Sequence, residues 1–392
     1  MNSGILSFLV FSFSKLVVFS SPLIVLSLLG SESYVLTEQA ISLALLLIPL
    51  LNAGMTPAYA YYVIEKKDIG FKHNFYRHLL ICIFILLLAR FIPTGQFESG
   101  GVYGVFISMA MFLLFFGFLS ITYKCKNDVK RSSALDACPY VLIFVFIILN
   151  YILPIYAEVF VLSLGVIFAF ITVKVINSNK SFLPRSIFDF SGTLSYYKKG
   201  FRCFIVSWLA IAVVVVPRSF IPEVLSVDDS ESVYLWLRIS AVLVFIFQYL
   251  SNSFYTDLFD LSELNISILW SLFWLGATVF FILSLIVFDS DFFSWAYIYT
   301  LLWISVAFLE LQVNRKSLEW NVLLFGFLII PGLTFFFYIK SFLYFSLFSL
   351  AILMVYAAIQ LCAVLNLKKG AKLFLLPLLN FLIFFLFLIG QQ

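Results

Sequence analysis

The chain has 392 residues, of which 63% are hydrophobic and only 11% are charged, with a net charge of +4 and a mean hydropathy of +1.10. A soluble domain carries roughly a quarter charged residues, because it needs a polar shell. This composition excludes a disordered chain, a nucleic-acid-binding protein and a secreted disulfide scaffold. It predicts an all-α polytopic membrane protein, since the apolar runs are unbroken and do not alternate as barrel strands do.

About 20 apolar residues cross a bilayer as a helix, and runs of that length recur along the chain. The predicted N-terminal spans are 4–29, 36–63, 75–93, 101–123, 134–153 and 156–176. The predicted C-terminal spans are 201–222, 231–256, 266–288, 292–312, 320–339 and 343–365. A last run, 373–389, either makes a thirteenth crossing or lies against the bundle. We therefore predict the following organisation: a six-helix lobe over 1–177, a basic cytoplasmic linker over 178–200, a second six-helix lobe over 201–366, and a hydrophobic tail helix over 367–392.

Basic residues set the orientation, because cytoplasmic loops carry an excess of lysine and arginine. If the N-terminus is cytoplasmic, most of the 24 basic residues fall in inner segments, at 66–77, 124–131, 174–202, 315–316 and 368–372. The outer loops are then short, and the longest, around 223–230, is acidic. The sequence therefore predicts a cytoplasmic N-terminus.

The two predicted lobes match each other faintly at an offset of about 200 residues. The identical pairs are Tyr34 and Tyr234, Leu50 and Leu250, Asn52 and Asn252, and Thr56 and Thr256. Both lobes begin in the cytoplasm, so the pattern favours a parallel repeat related by an axis along the membrane normal.

Polar residues form a stripe on one face of the second and eighth spans, at about 100° per residue. The stripe of the second span is Glu38, Ser42, Pro49, Asn52 and Thr56, and that of the eighth is Glu231, Tyr234, Arg238, Tyr249, Asn252 and Thr256. Facing lipid is costly, so these groups should face a cavity or a neighbouring helix. They either line a binding site or hold helices together.

Further charged residues lie inside predicted spans. Lys15 lies deep in the first span unless it snorkels to the inner surface, and Arg218 follows a proline near the outer end of the seventh. Glu38 and Glu310 are candidate proton or cation sites, although Glu310 equally fits an end-of-helix carboxylate near Arg315. The five cysteines are scattered, without CxxC or Cys/His metal spacing. We therefore predict no metal and no cofactor.

The order of these features resembles a known transporter family. The segment with Ser14-Lys15, Pro22, Gly30, Glu32, Tyr34 and Asn52-Ala53-Gly54 resembles the start of bacterial O-antigen flippases. These Wzx-type proteins belong to the multidrug/oligosaccharidyl-lipid/polysaccharide exporter superfamily. The stretch from Lys198-Lys199-Gly200 to Pro217-Arg218 resembles the start of that family's second half. Pro217 stands where the family commonly has the Asp of an Asp-Arg pair. The resemblance covers 4–365 and is carried mainly by topology.

The resemblance implies a MATE-like fold of two six-helix lobes around a central cationic cavity, with 12 core helices. It implies a non-enzymatic flippase of the bacterial inner membrane. Its substrate is an undecaprenyl-diphosphate-linked oligosaccharide of O-antigen or a similar polysaccharide, moved to the outer leaflet by alternating access. Implied partners are a polysaccharide polymerase and a chain-length regulator. Lys15, Arg238 and Arg218 would bind the diphosphate, whereas Asn52, Asn252, Tyr234 and Tyr249 would bind sugar hydroxyls.

Two other functions fit a long, many-spanning chain. A multidrug exporter of the same fold would expel cations and should carry an embedded carboxylate in its first lobe. An O-antigen polymerase or membrane glycosyltransferase would need an extracytoplasmic loop to hold a reacting sugar. The short outer loops and the embedded Lys15 favour the flippase over both.

Overall fold

The computed structural model describes residues 3–59, 62–63, 67, 69–90, 102–178, 193–254, 257–258, 261–285, 291–315, 332–333, 335–339, 341–365 and 367–390. Within these ranges the chain is almost entirely helical and contains no strand. The all-α prediction is therefore confirmed for this part of the protein.

Fourteen α-helices and one short 3₁₀ helix follow one another along the described ranges. The first seven are α1 Ser3–Asn52, α2 Met55–Tyr59, α3 Ile69–Ala89, α4 Val102–Lys124, α5 Val129–Ile152, α6 Pro154–Ser178 and α7 Thr193–Ser219. The others are α8 Ile221–Val224, α9 Val227–Ser253, α10 Glu263–Leu285, α11 Asp291–Arg315, the 3₁₀ helix Phe335–Tyr338, α12 Phe342–Val364, α13 Leu367–Leu373 and α14 Leu375–Gly390.

Nine helices of the described ranges are long and apolar enough to cross a membrane. The chain is therefore a multi-pass membrane protein. The predicted total of twelve core spans stays a prediction, because most of the predicted span 320–339 lies outside the described residues. The predicted linker 178–200 lies largely outside them too, and its last residues, 193–200, begin α7.

Helix α1 contains the first predicted span and most of the second, as two helical arms that meet at Gly30. The arms, 3–29 and 31–52, are about 40 and 33 Å long, and each is long enough to cross the hydrocarbon layer of a bilayer, about 30 Å thick. Gly30 has φ 84° and ψ 178°, a backbone conformation that glycine adopts without steric cost. The predicted break between the two spans is therefore a sharp kink at Gly30.

The second predicted span ends earlier than 63. Ala53 (φ 49°) and Gly54 (φ 75°) both have left-handed backbone conformations, which end α1 at Asn52. The start of α7 packs directly against this break between α1 and α2, at Ala53 and Gly54. A β-carbon on Gly54 would overlap the carbonyl oxygen of Gly200 and lie 2.5 Å from the amide nitrogen of Phe204. The absence of a side chain at Gly54 is what allows this close approach.

His78, on α3, forms hydrogen bonds to both the end of α1 and the start of α7. The Nε2–H of His78 donates to the carbonyl of Leu51, at 2.7 Å. Its Nδ1 therefore accepts from the hydroxyl of Tyr197, at 2.9 Å. Burial raises the pKa of Tyr197, so its hydroxyl stays a donor at physiological pH.

The chain divides into two compact units, Met1–Trp208 and Leu209–Gln392. In unit 1, α1 packs against α4 and α5, while α6 packs against α3 and α5. In unit 2, α11 packs against α9 and α12. The predicted lobe boundaries stay a prediction.

The C-terminal apolar run packs against unit 2. Helix α14 contacts α10, α11 and α12. The Asn380 amide donates to the Thr278 hydroxyl of α10, at 2.8 Å. A polar bond between two apolar helices stabilises their packing where water is absent. The run 373–389 therefore packs on the helices of unit 2, and a thirteenth crossing stays a prediction.

We predict that Gly54→Ala destabilises the protein by about 3 kcal/mol, because the new methyl group meets backbone atoms of α7 and the residue keeps a positive φ. Thermal unfolding in detergent measures the effect. Gly276→Ala is the matched control, because Gly276 lies within a helix with no atom within 4 Å of a β-carbon. Equal melting temperatures for the two variants would contradict the packing described at the break.

Candidate functional site

The predicted site residues lie mainly inside their units. Lys15 is 7% exposed and Arg238 is 8% exposed, and neither projects from the surface of its unit. The other buried members are Glu38, Asn52, Tyr234 and Asn252, and the half-buried members are Arg218, Tyr249 and Glu310. Both embedded cations therefore avoid the outward position that would expose them to acyl chains.

Lys15 belongs to a cluster that brings three charged residues of unit 1 together, which we name the Lys–Asp–Lys cluster (Lys15, Lys124 and Asp136). The Lys124 ammonium lies 3.0 Å from the Asp136 carboxylate. Lys15 interacts electrostatically with both groups. Because α1 packs against α4 and α5, each of the three helices contributes one charge.

The cluster is partly desolvated and partly exposed to solvent. Cys125, next to Lys124 in the α4–α5 turn, has its pKa raised to about 12 by burial, although the charge of Lys124 opposes this shift. The side chains of Lys124 and Asp136 are still 26% and 22% exposed. The cluster is therefore shielded enough to strengthen its electrostatic interactions and open enough to admit a small polar group.

The depth of the cluster follows from its positions along the helices. Asp136 lies about 10 Å along α5 from its first residue, and Lys15 lies about 18 Å along α1. Lys124 ends α4. In the predicted orientation these helix ends face the cytoplasm, which places the cluster in the inner half of the membrane.

Two members of this cluster were not predicted from the sequence. Lys124 falls among the predicted basic loop residues, and Asp136 was not a candidate site residue. The available signal was an acid inside the predicted span 134–153, which is uncommon enough in a membrane helix to indicate a partner.

In unit 2 the structure brings Arg218 and Tyr234 together. The Arg218 guanidinium carbon lies 5.9 Å from the ring centroid of Tyr234, a cation–π distance. The Tyr234 hydroxyl donates to the Arg218 carbonyl, at 2.9 Å, and the Tyr299 hydroxyl donates to the Val214 carbonyl. Tyr234 therefore fastens α9 to the end of α7. Arg238 follows one turn later on the same helix face.

The two matched asparagines have different environments. The Asn52 side-chain oxygen accepts from the backbone N–H of Thr56, at 2.8 Å, and so stabilises the break after α1. The Asn252 amide nitrogen is buried and has no hydrogen-bond partner among the described residues. A buried donor without a partner is costly, so Asn252 is the stronger candidate for contact with a polar ligand. Tyr249, one turn before it, is half-buried.

The two candidate coupling acids occupy separate sites. Glu38 is fully buried on α1. Glu310 on α11 interacts electrostatically with Tyr356 of α12. The side chain of Arg315, its alternative partner, lies outside the described residues. In the part of the chain that the structure describes, no three His, Cys, Asp or Glu residues are grouped to hold a metal ion.

Unit 2 also contains a cavity of about 370 Å³ between α9, α10 and α11. Its lining is almost wholly apolar and includes Phe247, Leu269, Trp270, Phe273, Ile304 and Phe308. Such a lining suits hydrocarbon rather than a sugar or a phosphate.

Arg90 shows what a fully matched buried cation looks like in this protein. Its guanidinium donates to the Glu158 carboxylate through two bonds, of 2.9 and 2.5 Å. A third bond, of 2.6 Å, goes to the Gly104 carbonyl, and the Phe146 ring lies 5.2 Å away. The Arg90 clamp therefore joins α3, α4, α5 and α6 and has a structural role.

No family model, no curated protein and no solved structure matches this chain.

We predict that Glu158→Ala lowers the free energy of unfolding by about 3 kcal/mol, because it leaves the Arg90 guanidinium, whose side chain is 6% exposed, without its carboxylate. The melting temperature in detergent reports the change. Glu223→Ala removes an exposed acid and serves as the control. A melting temperature unchanged by Glu158→Ala would contradict the clamp.

Proposed function

We propose that the protein is a flippase that moves an undecaprenyl-diphosphate-linked oligosaccharide from the inner to the outer leaflet of a bacterial cytoplasmic membrane by alternating access. The observation that carries the proposal is the burial of cations inside apolar helices in both units: Lys15 in unit 1 and Arg238 in unit 2. Buried charges in membrane helices are costly, and they mark the path of a substrate or an ion.

The sign of these charges fits a diphosphate. Such a headgroup carries about two negative charges, and moving it bare through hydrocarbon costs many kcal/mol. Ammonium and guanidinium groups offset this cost through charge-assisted hydrogen bonds. With the cell interior negative, outward movement of an anion is favoured by roughly 2.3 kcal/mol per charge per 100 mV. The membrane potential therefore contributes to net export.

Polar groups for the sugar lie on α9. The buried Asn252 amide and the half-buried Tyr249 ring are suited to sugar hydroxyls, which both donate and accept hydrogen bonds. The isoprenoid tail stays in the surrounding hydrocarbon. In this proposal Tyr234 positions Arg218, whereas Arg238 contacts the headgroup.

A multidrug exporter is the second candidate, and buried Glu38 is the observation that favours it. A carboxylate buried in unit 1 would suit an organic cation or a coupling proton. An exporter of cations needs neither Lys15 nor Arg238, so substitutions at these two residues separate the two functions.

We predict that Lys15→Ala and Arg238→Ala each abolish surface display of the glycan while the protein remains in the membrane. Lipid-linked oligosaccharide should then accumulate on the cytoplasmic leaflet, because the headgroup loses the charge that offsets its desolvation. Labelled surface glycan and leaflet-specific extraction measure the two effects. Lys15→Arg and Arg238→Lys should retain most of the export, since they keep the charge.

The matched control for this pair is Arg131→Ala, which removes a largely exposed cation from the α4–α5 region. It should leave export unchanged. Normal surface glycan in both Lys15→Ala and Arg238→Ala would refute the assigned headgroup contacts, and altered sensitivity to cationic drugs would favour the second candidate instead.

The proposed orientation makes a separate prediction. A reporter fused after Asn127 should lie in the cytoplasm, and one fused after Asp228 should lie outside, because the first loop is basic and the second is acidic. Green fluorescent protein reports the cytoplasmic side, and alkaline phosphatase reports the outer side. The reverse pattern would overturn the orientation.

A further inference from the structure

We infer that the Lys–Asp–Lys cluster of unit 1 is a phosphate-binding site in which the Asp136 carboxylate occupies the position of the ligand's phosphate until the ligand displaces it. This inference rests on the proposed function and extends it. It assigns a ligand class to Lys124 and a competing role to Asp136.

The geometry supports exchange at this point. The Asp136 carboxylate lies 3.0 Å from the Lys124 ammonium, and Lys15 from a third helix acts on the same carboxylate. A phosphate oxygen and a carboxylate oxygen accept hydrogen bonds from an ammonium group in the same way. Both members of the ion pair are partly exposed, so a phosphate can approach without a break in helix packing.

The charge of the cluster favours a second anion. The three groups carry two positive charges and one negative charge. A diphosphate, with about two negative charges, balances the two lysines more completely than one carboxylate does. The ligand can therefore displace Asp136, yet it must compete with a carboxylate that is always present.

This competition serves a transport cycle. An empty transporter must switch back to its inward-facing state without its substrate, and the charge of the Lys124 ammonium would make that step more costly if the Asp136 carboxylate were absent. Asp136 lowers this cost by pairing with Lys124 in the empty state. It also limits the affinity for the headgroup, which allows release on the far side.

Binding of inorganic pyrophosphate to the full-length purified protein tests the inference, with isothermal titration calorimetry as the measurement. We expect Asp136→Asn to bind pyrophosphate about tenfold more tightly than the wild type, because the built-in competitor has lost its charge. Adding Lys124→Gln to Asp136→Asn should remove the gain.

The matched control is Asp128→Asn. It removes the same charge from the residue before α5, where Asp128 caps the helix by accepting from the Arg131 backbone N–H, and asparagine preserves such a cap. It should leave pyrophosphate affinity unchanged. An Asp136→Asn affinity equal to that of the wild type, or an equal gain in Asp128→Asn, would overturn the inference.

A second measurement covers the case in which Asp136→Asn folds poorly. Pyrophosphate added during purification should then raise the melting temperature of Asp136→Asn by more than that of the wild type, because it replaces the missing anion. Failure to do so would also overturn the inference.

A competition experiment distinguishes the transported headgroup from an ordinary membrane phospholipid as the source of the phosphate. In nanodiscs, undecaprenyl diphosphate should displace pyrophosphate from Asp136→Asn, whereas phosphatidylglycerol at the same concentration should not. Equal displacement by both lipids would overturn the assignment to the transported headgroup. If the affinity gain is found but Lys15→Ala and Arg238→Ala both export normally, the proposed function fails and the anion site stands. If Lys15→Ala loses export but the gain is absent, only this inference fails.

Discussion

The cost of placing a charge in hydrocarbon is the constraint on which the rest of this structure depends. The chain carries few charges for its length, and three of those inside apolar helices, Lys15, Glu38 and Arg238, are buried. Arg90 is matched by a bidentate carboxylate and a carbonyl. The Lys–Asp–Lys cluster, by contrast, has one more positive charge than negative. This difference supports the proposal that Arg90 holds helices together whereas the cluster binds an anionic ligand.

The same constraint links fold to function. Helix α1, which carries Lys15, packs against α4 and α5, and the break after Asn52 leaves space at Gly54 for α7 to cross at Gly200. The hydrogen bonds of His78 fix that crossing. In unit 2, Tyr234 fastens α9 to the end of α7, one turn from Arg238. Each unit therefore contains a buried cation, and this feature supports the proposal of a phosphate-bearing ligand.

Much of the fold could be predicted from the sequence, because apolar runs of membrane length are a strong signal. The predicted spans 101–123 and 343–365 agree with α4 and α12 to within about two residues, the ordinary uncertainty of helix ends. The break at Gly30 lies where the predicted spans separate, but its form as a sharp kink could not be predicted, since a lone glycine between two apolar runs equally fits a loop. The break at Asn52 was missed because Ala53 gives no sign of a positive φ.

The candidate site was less predictable. Helical periodicity placed Tyr234 and Arg238 on one face, and both are buried. Periodicity describes one helix at a time, so it could not pair Lys15 with Asp136, which lies on a helix more than a hundred residues away in the chain. Periodicity also could not distinguish the two asparagines. The Asn52 side chain accepts a hydrogen bond from the nearby backbone, whereas the buried Asn252 amide nitrogen has no hydrogen-bond partner among the described residues.

The most direct test of the account is transport by the purified protein in proteoliposomes. A fluorescent undecaprenyl-diphosphate oligosaccharide is loaded into the membrane, and an impermeant quencher follows its passage between leaflets under an imposed potential. The account predicts movement toward the positive side at a rate that rises with the potential, and no movement in a protein that lacks both Lys15 and Arg238. Movement that is insensitive to the potential and unaffected by loss of both cations would contradict it, as would no movement by the wild type.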